Sequence, residues 1–251
     1  MAEAVAIVGG TGGLGEAVTR HLGQAGTPLA IGYHRNADKA QALVADIEAA
    51  GGRAIAAQID IREPAAVDGF VTSSAEALGG LSGFINVTGP PIPLKPLVEI
   101  PAEEFWAIME TDVLGAYNVL TSVSRHFAAQ GGGSIVHFLT TAVLRTLEND
   151  GMSGIPKTAV MGIIRQLARE VGQQNVRINA IAPGVMNVGI VHSSFATDEV
   201  AKGVIDLCLQ RTPMPRMGSP EEAAELAAFL VGGQAGYVNG QIIGIDGGYS
   251  A

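Results

Sequence analysis

Charge is scarce in this chain. Asp, Glu, Lys and Arg make up 16% of its 251 residues, aromatic residues only 5%, and there is one cysteine. Acidic residues outnumber basic ones 24 to 15, a formal net charge of −9. Such a balance repels polyanions, so nucleic acid is not an expected partner. A lone thiol, Cys208, excludes an internal disulfide and a multi-cysteine metal site, and no metal is expected. One free thiol also fits a reducing compartment. No apolar run approaches the roughly 20 residues that span a bilayer. The start, MAEAVAIVGG, has no basic stretch ahead of an apolar one. The expectation is a soluble, cytoplasmic protein with no membrane partner.

What the chain does have is apolar residues, 47% of the total, and 34 glycines spread along its length. Short β-branched runs fall at 4–10, 28–34, 54–60, 84–89, 134–140, 177–183 and 241–246. Most are almost continuously apolar, as parallel strands buried on both faces must be. Between them, longer amphipathic stretches predict helices near 13–25, 37–50, 64–78, 102–129, 157–172 and 220–231. The last opens with Ser219 as cap, Pro220 in the first turn and Glu221 and Glu222 against the helix dipole. Alternation of this kind predicts an α/β fold: a single-domain, Rossmann-type, doubly wound parallel sheet of about seven strands over residues 1–251. Only 185–215 interrupts the pattern. Its apolar residues Val185, Met186, Val188, Ile190, Val191, Phe195, Met214 and Met217 suggest a lid over a small apolar substrate.

The first strand runs into GGTGGLGEA. Gly9, Gly13 and Gly15, with Thr11 and Leu14 between them, form a turn that opens a helix directly after a buried strand. Glycines there let the backbone approach a pyrophosphate, whose charge a helix N-terminus stabilises. The second strand should end in a carboxylate if the ribose 2′-OH of NAD(H) is to be held. Residues 32–36 instead read Gly32, Tyr33, His34, Arg35 and Asn36. A cation there suits a 2′-phosphate, so NADP(H) is favoured over NAD(H).

With GGTGGLG, Asp60-Ile61, NVTG at 86–89, VRINAIAPG at 176–184 and GQIIGIDGG at 240–248, the whole chain resembles the short-chain dehydrogenase/reductase family. The resemblance implies strand order 3-2-1-4-5-6-7. It also implies that Asp60 and Ile61 flank the adenine, that Asn86 and Gly89 line the cofactor, and that Pro183, Gly184 and Val188 lie near the nicotinamide. A homotetramer built on the helices near 102–129 and 157–172 and on the last strand is implied as well.

The resemblance further implies a tyrosine that moves the proton, a lysine four residues later that holds the ribose, a hydroxyl that orients the carbonyl and an asparagine in a proton relay. Here the lysine is Lys157, the hydroxyl Thr140 and the asparagine position Asp112, whereas the tyrosine position holds Ser153. Val87 and Val188 also replace expected polar residues. The site therefore looks like a divergent one lacking the active-site tyrosine.

A serine hydroxyl is too weak an acid to substitute for a phenol. Some enoyl reductases of the superfamily carry the tyrosine seven residues before the lysine, a position that is Asp150 here. Ser153 reads equally as a helix cap with Gly154, Ile155 and Pro156 as the first turn. Asp112 reads as a solvated carboxylate or as part of an altered relay. His137 reads as a satisfied sheet histidine rather than an acid. Asp150 and Glu148 read as polar loop residues that can supply a proton if the loop folds over the pocket, and Tyr117 is the tyrosine whose helix should face the site. Two functions follow: an NADP(H)-dependent reductase of an activated C=C or C=O group with an altered proton donor, or a fold reused without hydride transfer as a lyase, cyclase, isomerase or cofactor-sensing protein.

Overall fold

In the computed structural model, residues 4–188 and 198–251 are described. Seven parallel strands form one sheet in the order β3-β2-β1-β4-β5-β6-β7. They are β1 (Val5–Val8), β2 (Leu29–Tyr33), β3 (Ala54–Gln58), β4 (Gly83–Asn86), β5 (Gly133–Phe138), β6 (Val176–Pro183) and β7 (Ile242–Ile245). The central strands β1 and β4 are buried at every position, which accounts for their unbroken apolar sequences.

Helices cover both faces. On one side α3 (Pro64–Leu78), α5 (Gly115–Gln130) and α6 (Gly151–Glu170) bury Phe70, Val119, Phe127 and Ile164 against the sheet. On the other, α1 (Gly13–Gln24), α2 (Ala37–Ala49) and α8 (Pro220–Val231) pack Val18, Leu43 and Leu230. Each such large side chain contributes about 1.5–3 kcal/mol by leaving water. Local signals agree with the packing. Ser219 and Glu222 close a full capping box at the start of α8, and Gly79 and Gly131 end α3 and α5 in the left-handed conformation. A third, smaller apolar cluster, including Leu94, Leu147, Val204, Cys208 and Tyr249, sits apart from these two layers.

One expectation holds with an addition, and two need correction. The helix expected over 102–129 runs unbroken from Ala102 to Gln130, but a π-helical turn at Glu110–Leu114, which carries Asp112, divides it into α4 (Ala102–Met109) and α5. The helix expected to start near 157 starts at Gly151, with Asp150 as its N-cap. Ser153 therefore lies in the first turn and is not the cap. Pro156 lies inside the helix, where it has no N–H to offer the Met152 carbonyl one turn back. Finally, the 185–215 stretch contains α7 (Glu199–Gln210), capped by Asp198, whose side chain accepts hydrogen bonds from the amides of Val200 and Ala201. Of the lid residues named from sequence, Ile190, Val191 and Phe195 lie outside the described residues.

Candidate active site

The site forms beyond the carboxyl ends of β1, β4, β5 and β6, where the loops following these strands converge. Its nucleotide end is made of backbone. Gly9 turns the chain with φ of +77° just after β1. A Cβ on Gly15 would stand 2.0 Å from the Gly9 carbonyl oxygen, so only glycine allows α1 to start this close to the turn. Gly12, as N-cap, has no side chain and caps nothing, which leaves the first N–H groups of α1 without an internal partner. An uncapped helix start behind a glycine turn is a ready cradle for a pyrophosphate, and the residues present fit a dinucleotide.

The residues expected at the adenosine end are ordered by side chains. Arg62 grips Asp60 with a fork of hydrogen bonds, the shortest 2.6 Å, and holds its carboxyl down at about 2. His34 Nε2 lies 3.6 Å from the same carboxylate. Asn36 caps α2 by accepting from the Lys39 amide at 3.2 Å. Ile61 is buried under Gly115, where any Cβ would meet it at 2.7 Å. Arg35 is exposed at the end of β2 and has no ion-pair partner among the described residues.

A cavity of about 380 Å³ joins the glycine turn to Thr140, Ser153 and Lys157. Of the positions expected from sequence, Gly13, Leu14, Gly15, Gly89, Pro183, Gly184 and Val188 line it, together with Thr140, Ser153 and Lys157. Gly9, Thr11, His34, Arg35, Asn36, Asp60, Ile61, Asn86 and Asp112 are not in its wall. Asn86 lies just behind it. Its Oδ1 accepts from the Thr88 amide at 3.0 Å and hydroxyl at 2.7 Å, while its buried Nδ2 has no partner.

Thr140 sits where β5 gives way to a 3₁₀ turn. Its Oγ1 accepts from the Ala142 amide at 3.3 Å, which uses a lone pair and leaves the O–H free to donate into the cavity. Lys157 is paired with Asp112, Nζ to Oδ2 at 2.6 Å, with side-chain exposures of 13% and 5%. Asp112 is therefore not a solvated carboxylate. Burial pushes its carboxyl up, against the pull of the Lys157 ammonium.

Asp150, Ser153 and Lys157 stand three and seven residues apart on α6 and share the cavity wall. Burial lifts the Asp150 carboxyl to about 7, opposed by Lys157. His137 lies beside Asn86 in the sheet register and is fully buried, so desolvation first, and Lys157 second, drive it down to about 3. It is a neutral sheet histidine, but not a satisfied one, since its Nδ1 finds no partner.

Two further readings change. Tyr117 does not face the site. It is exposed and lines a separate groove with Trp106, Leu114 and Ile163. Met214 is exposed in another pocket, and Met217 does not line the cavity, whereas Val185 and Met186 do. Sequence reasoning missed the wall that α7 supplies through Val204, Ile205 and Cys208. The signal was available: Ala201, Val204, Ile205 and Cys208 follow the i, i+3, i+4, i+7 spacing of one helix face behind an Asp cap.

Known proteins resemble this chain over its whole length. The family described as "Enoyl-(Acyl carrier protein) reductase" matches residues 9–250. A levodione reductase of Leifsonia aquatica is 30% identical over 250 residues, 98% of this chain and 94% of that protein. A tropinone reductase homolog of Arabidopsis thaliana is 31% identical over 97% of this chain and 90% of its own length. Among solved structures, that of a levodione reductase superposes with a TM-score of 0.92 at 29% identity, covering 100% of this chain and 98% of the other. A short-chain dehydrogenase of Burkholderia cenocepacia in complex with NADP gives 0.88 at 28% identity, covering 100% and 99%.

Proposed function

This chain belongs to the short-chain dehydrogenase/reductase family, and on that premise we propose that it is an NADP(H)-dependent oxidoreductase that reduces an activated C=O or C=C group of a small apolar substrate with a non-standard proton donor. The observation that carries the reading is the meeting, in one cavity, of the uncapped glycine turn of α1 with the Thr140 hydroxyl and Lys157. Bound at this turn, NADPH supplies hydride from its nicotinamide.

The protein's own groups do the rest. The first amides of α1 hold the pyrophosphate. Arg35, not already engaged by Asp60 as His34 is, takes the 2′-phosphate, and no carboxylate stands at residues 33–36 to repel it. Lys157 binds the ribose hydroxyls and is steadied by Asp112. Thr140 donates to the substrate oxygen, where negative charge grows during reduction. Ile92, Leu94, Leu147, Val204 and Ile205 give the substrate end apolar walls, and α7 acts as its lid. A relative named levodione reductase, another named as a tropinone reductase homolog, and a related structure holding NADP support a ketone or enone and this cofactor.

The same reading includes a homo-oligomer, a tetramer, whose contact face contains the exposed groove of Trp106, Leu114, Tyr117 and Ile163; light scattering coupled to size exclusion checks the mass. The activity is tested by following NADPH consumption across ketones, enones and enoyl thioesters, with Lys157→Ala alongside. Consumption with at least one substrate class, lost in the variant, is expected. Tight NADPH binding without consumption on any of them would overturn the redox reading in favour of a fold reused for other chemistry.

A further inference from the structure

We propose that Asp150 is the acid that protonates the reduced substrate and, in the reverse direction, the base that takes that proton; the inference rests on the redox reading above and assigns its missing donor. The first ground is placement. Asp150 shares the cavity wall with Ser153 and Lys157, on the same face of α6.

The second ground is what its carboxyl does not do. Asp150 is the N-cap of α6, and its main-chain carbonyl accepts from the amides of Ser153 at 3.1 Å and Gly154 at 3.0 Å. An N-cap aspartate ordinarily spends its side chain on the second or third amide of the helix. Here the side chain makes no such bond. The carboxyl of this cavity-lining residue is left without that bond although the chain offers it a local partner.

The third ground is elimination among the described residues. The titratable side chains in the cavity wall are Asp150, Lys157 and Cys208. Burial pushes the Cys208 thiol up, away from acid duty near neutrality. Lys157 is committed to Asp112, and neither Asp112 nor the neutral, buried His137 reaches the wall. Ser153 is a poor acid at any accessible pH. The charged and titratable groups facing Asp150 are Lys157 on α6 and Cys208 on α7; Asp112 on the π segment and His137 on β5 act on Lys157, and Asp246, which accepts from the Thr141 hydroxyl, acts on Cys208. In that setting burial outweighs the ammonium, and the carboxyl titrates at about 7.

The step balances as follows. As hydride adds to the electrophilic carbon, the displaced π pair moves to the substrate oxygen. The Asp150 O–H bond breaks, its proton bonding to that oxygen and its electron pair remaining as carboxylate. Water returns a proton before the next turnover.

The test compares wild type, Asp150→Asn and Asp150→Glu in NADPH-dependent reduction between about pH 5 and pH 9, with infrared difference spectra of the protonated carboxyl recorded without substrate. A positioned general acid contributes about 10²–10⁴-fold. Asp150→Asn is therefore expected to lose at least about a hundredfold in kcat, with little change in KM for NADPH, and Asp150→Glu to recover part of it. Wild-type kcat should fall as pH rises through about 7, with a carboxyl band that disappears over the same range and is absent in Asp150→Asn. A fully active Asn variant, or no carboxyl titrating near 7, overturns the inference and leaves the redox reading standing. A wild type that consumes no NADPH overturns both. Should the Asn variant fail to fold, the Glu variant and the wild-type band decide.

Discussion

The two ends of the cavity are built from different materials. At the nucleotide end the contacts are main-chain: a glycine with positive φ, a second whose Cβ would stand 2.0 Å from the carbonyl oxygen of the first, and a helix start that no side chain caps. At the catalytic end everything depends on side chains: Thr140, Asp112, Asp150, Ser153 and Lys157. A site made of backbone survives divergence as long as its glycines do. A site made of side chains depends on each of them, and here two are coupled, because a carboxylate at 112 is tolerable in the interior only with Lys157 against it.

The comparison breaks most visibly at that pair. Lys157→Ala leaves Asp112 buried without its counter-charge, at a cost of about 3–5 kcal/mol. An unpaired buried carboxyl is protonated more readily folded than unfolded, so the loss should deepen as pH rises above the ordinary aspartate range and shrink below it. Chemical denaturation at several pH values checks this, and Asp112→Asn added to Lys157→Ala should restore part of the stability.

Asp150 obeys the same rule without a partner to satisfy it. Its folded value of about 7 stands above the unfolded value near 3.8, so wild-type stability falls as pH rises between the two and levels off above 7. Asp150→Asn removes that dependence and should be more stable than wild type at pH 8, by up to about 4 kcal/mol, with the advantage vanishing near pH 4.

Gly15→Ala sharpens the other side. Its Cβ meets a backbone oxygen that cannot rotate away, so about 1–3 kcal/mol of stability and at least tenfold in NADPH affinity should be lost, by thermal unfolding and calorimetric titration. Arg35→Ser should leave the fold intact and reduce the preference for NADPH over NADH by about tenfold, equivalent to about 1.4 kcal/mol.

The same division decided what could be seen in the sequence. Continuous apolar strands and a glycine turn are local signals, and the strands fall where the pattern put them, to within a few residues at the ends. The start of α6 was obscured because GMSGIP, with two glycines and a proline, reads as a loop. Burial of Met152, Ser153 and Pro156 holds it helical instead. The Lys157–Asp112 pair joins residues 45 apart through a π segment that no periodicity announces. Asp150 was legible as a loop residue near the site but not as the half-buried N-cap of α6. Gly13 and Gly15 were legible as cavity wall because a glycine turn is a local backbone signal, and Pro183 and Gly184 through the family resemblance.

The central claim is that the cofactor end is intact while the proton no longer passes through the residue at 153. The most direct measurement is NADPH consumption by wild type and Ser153→Ala, side by side, on whichever ketone or enone reacts fastest. The account predicts that both oxidise NADPH at rates within about threefold of each other, the loss of one cavity hydroxyl being a small change in transition-state stabilisation. A hundredfold loss in Ser153→Ala would contradict it and return the proton to the serine.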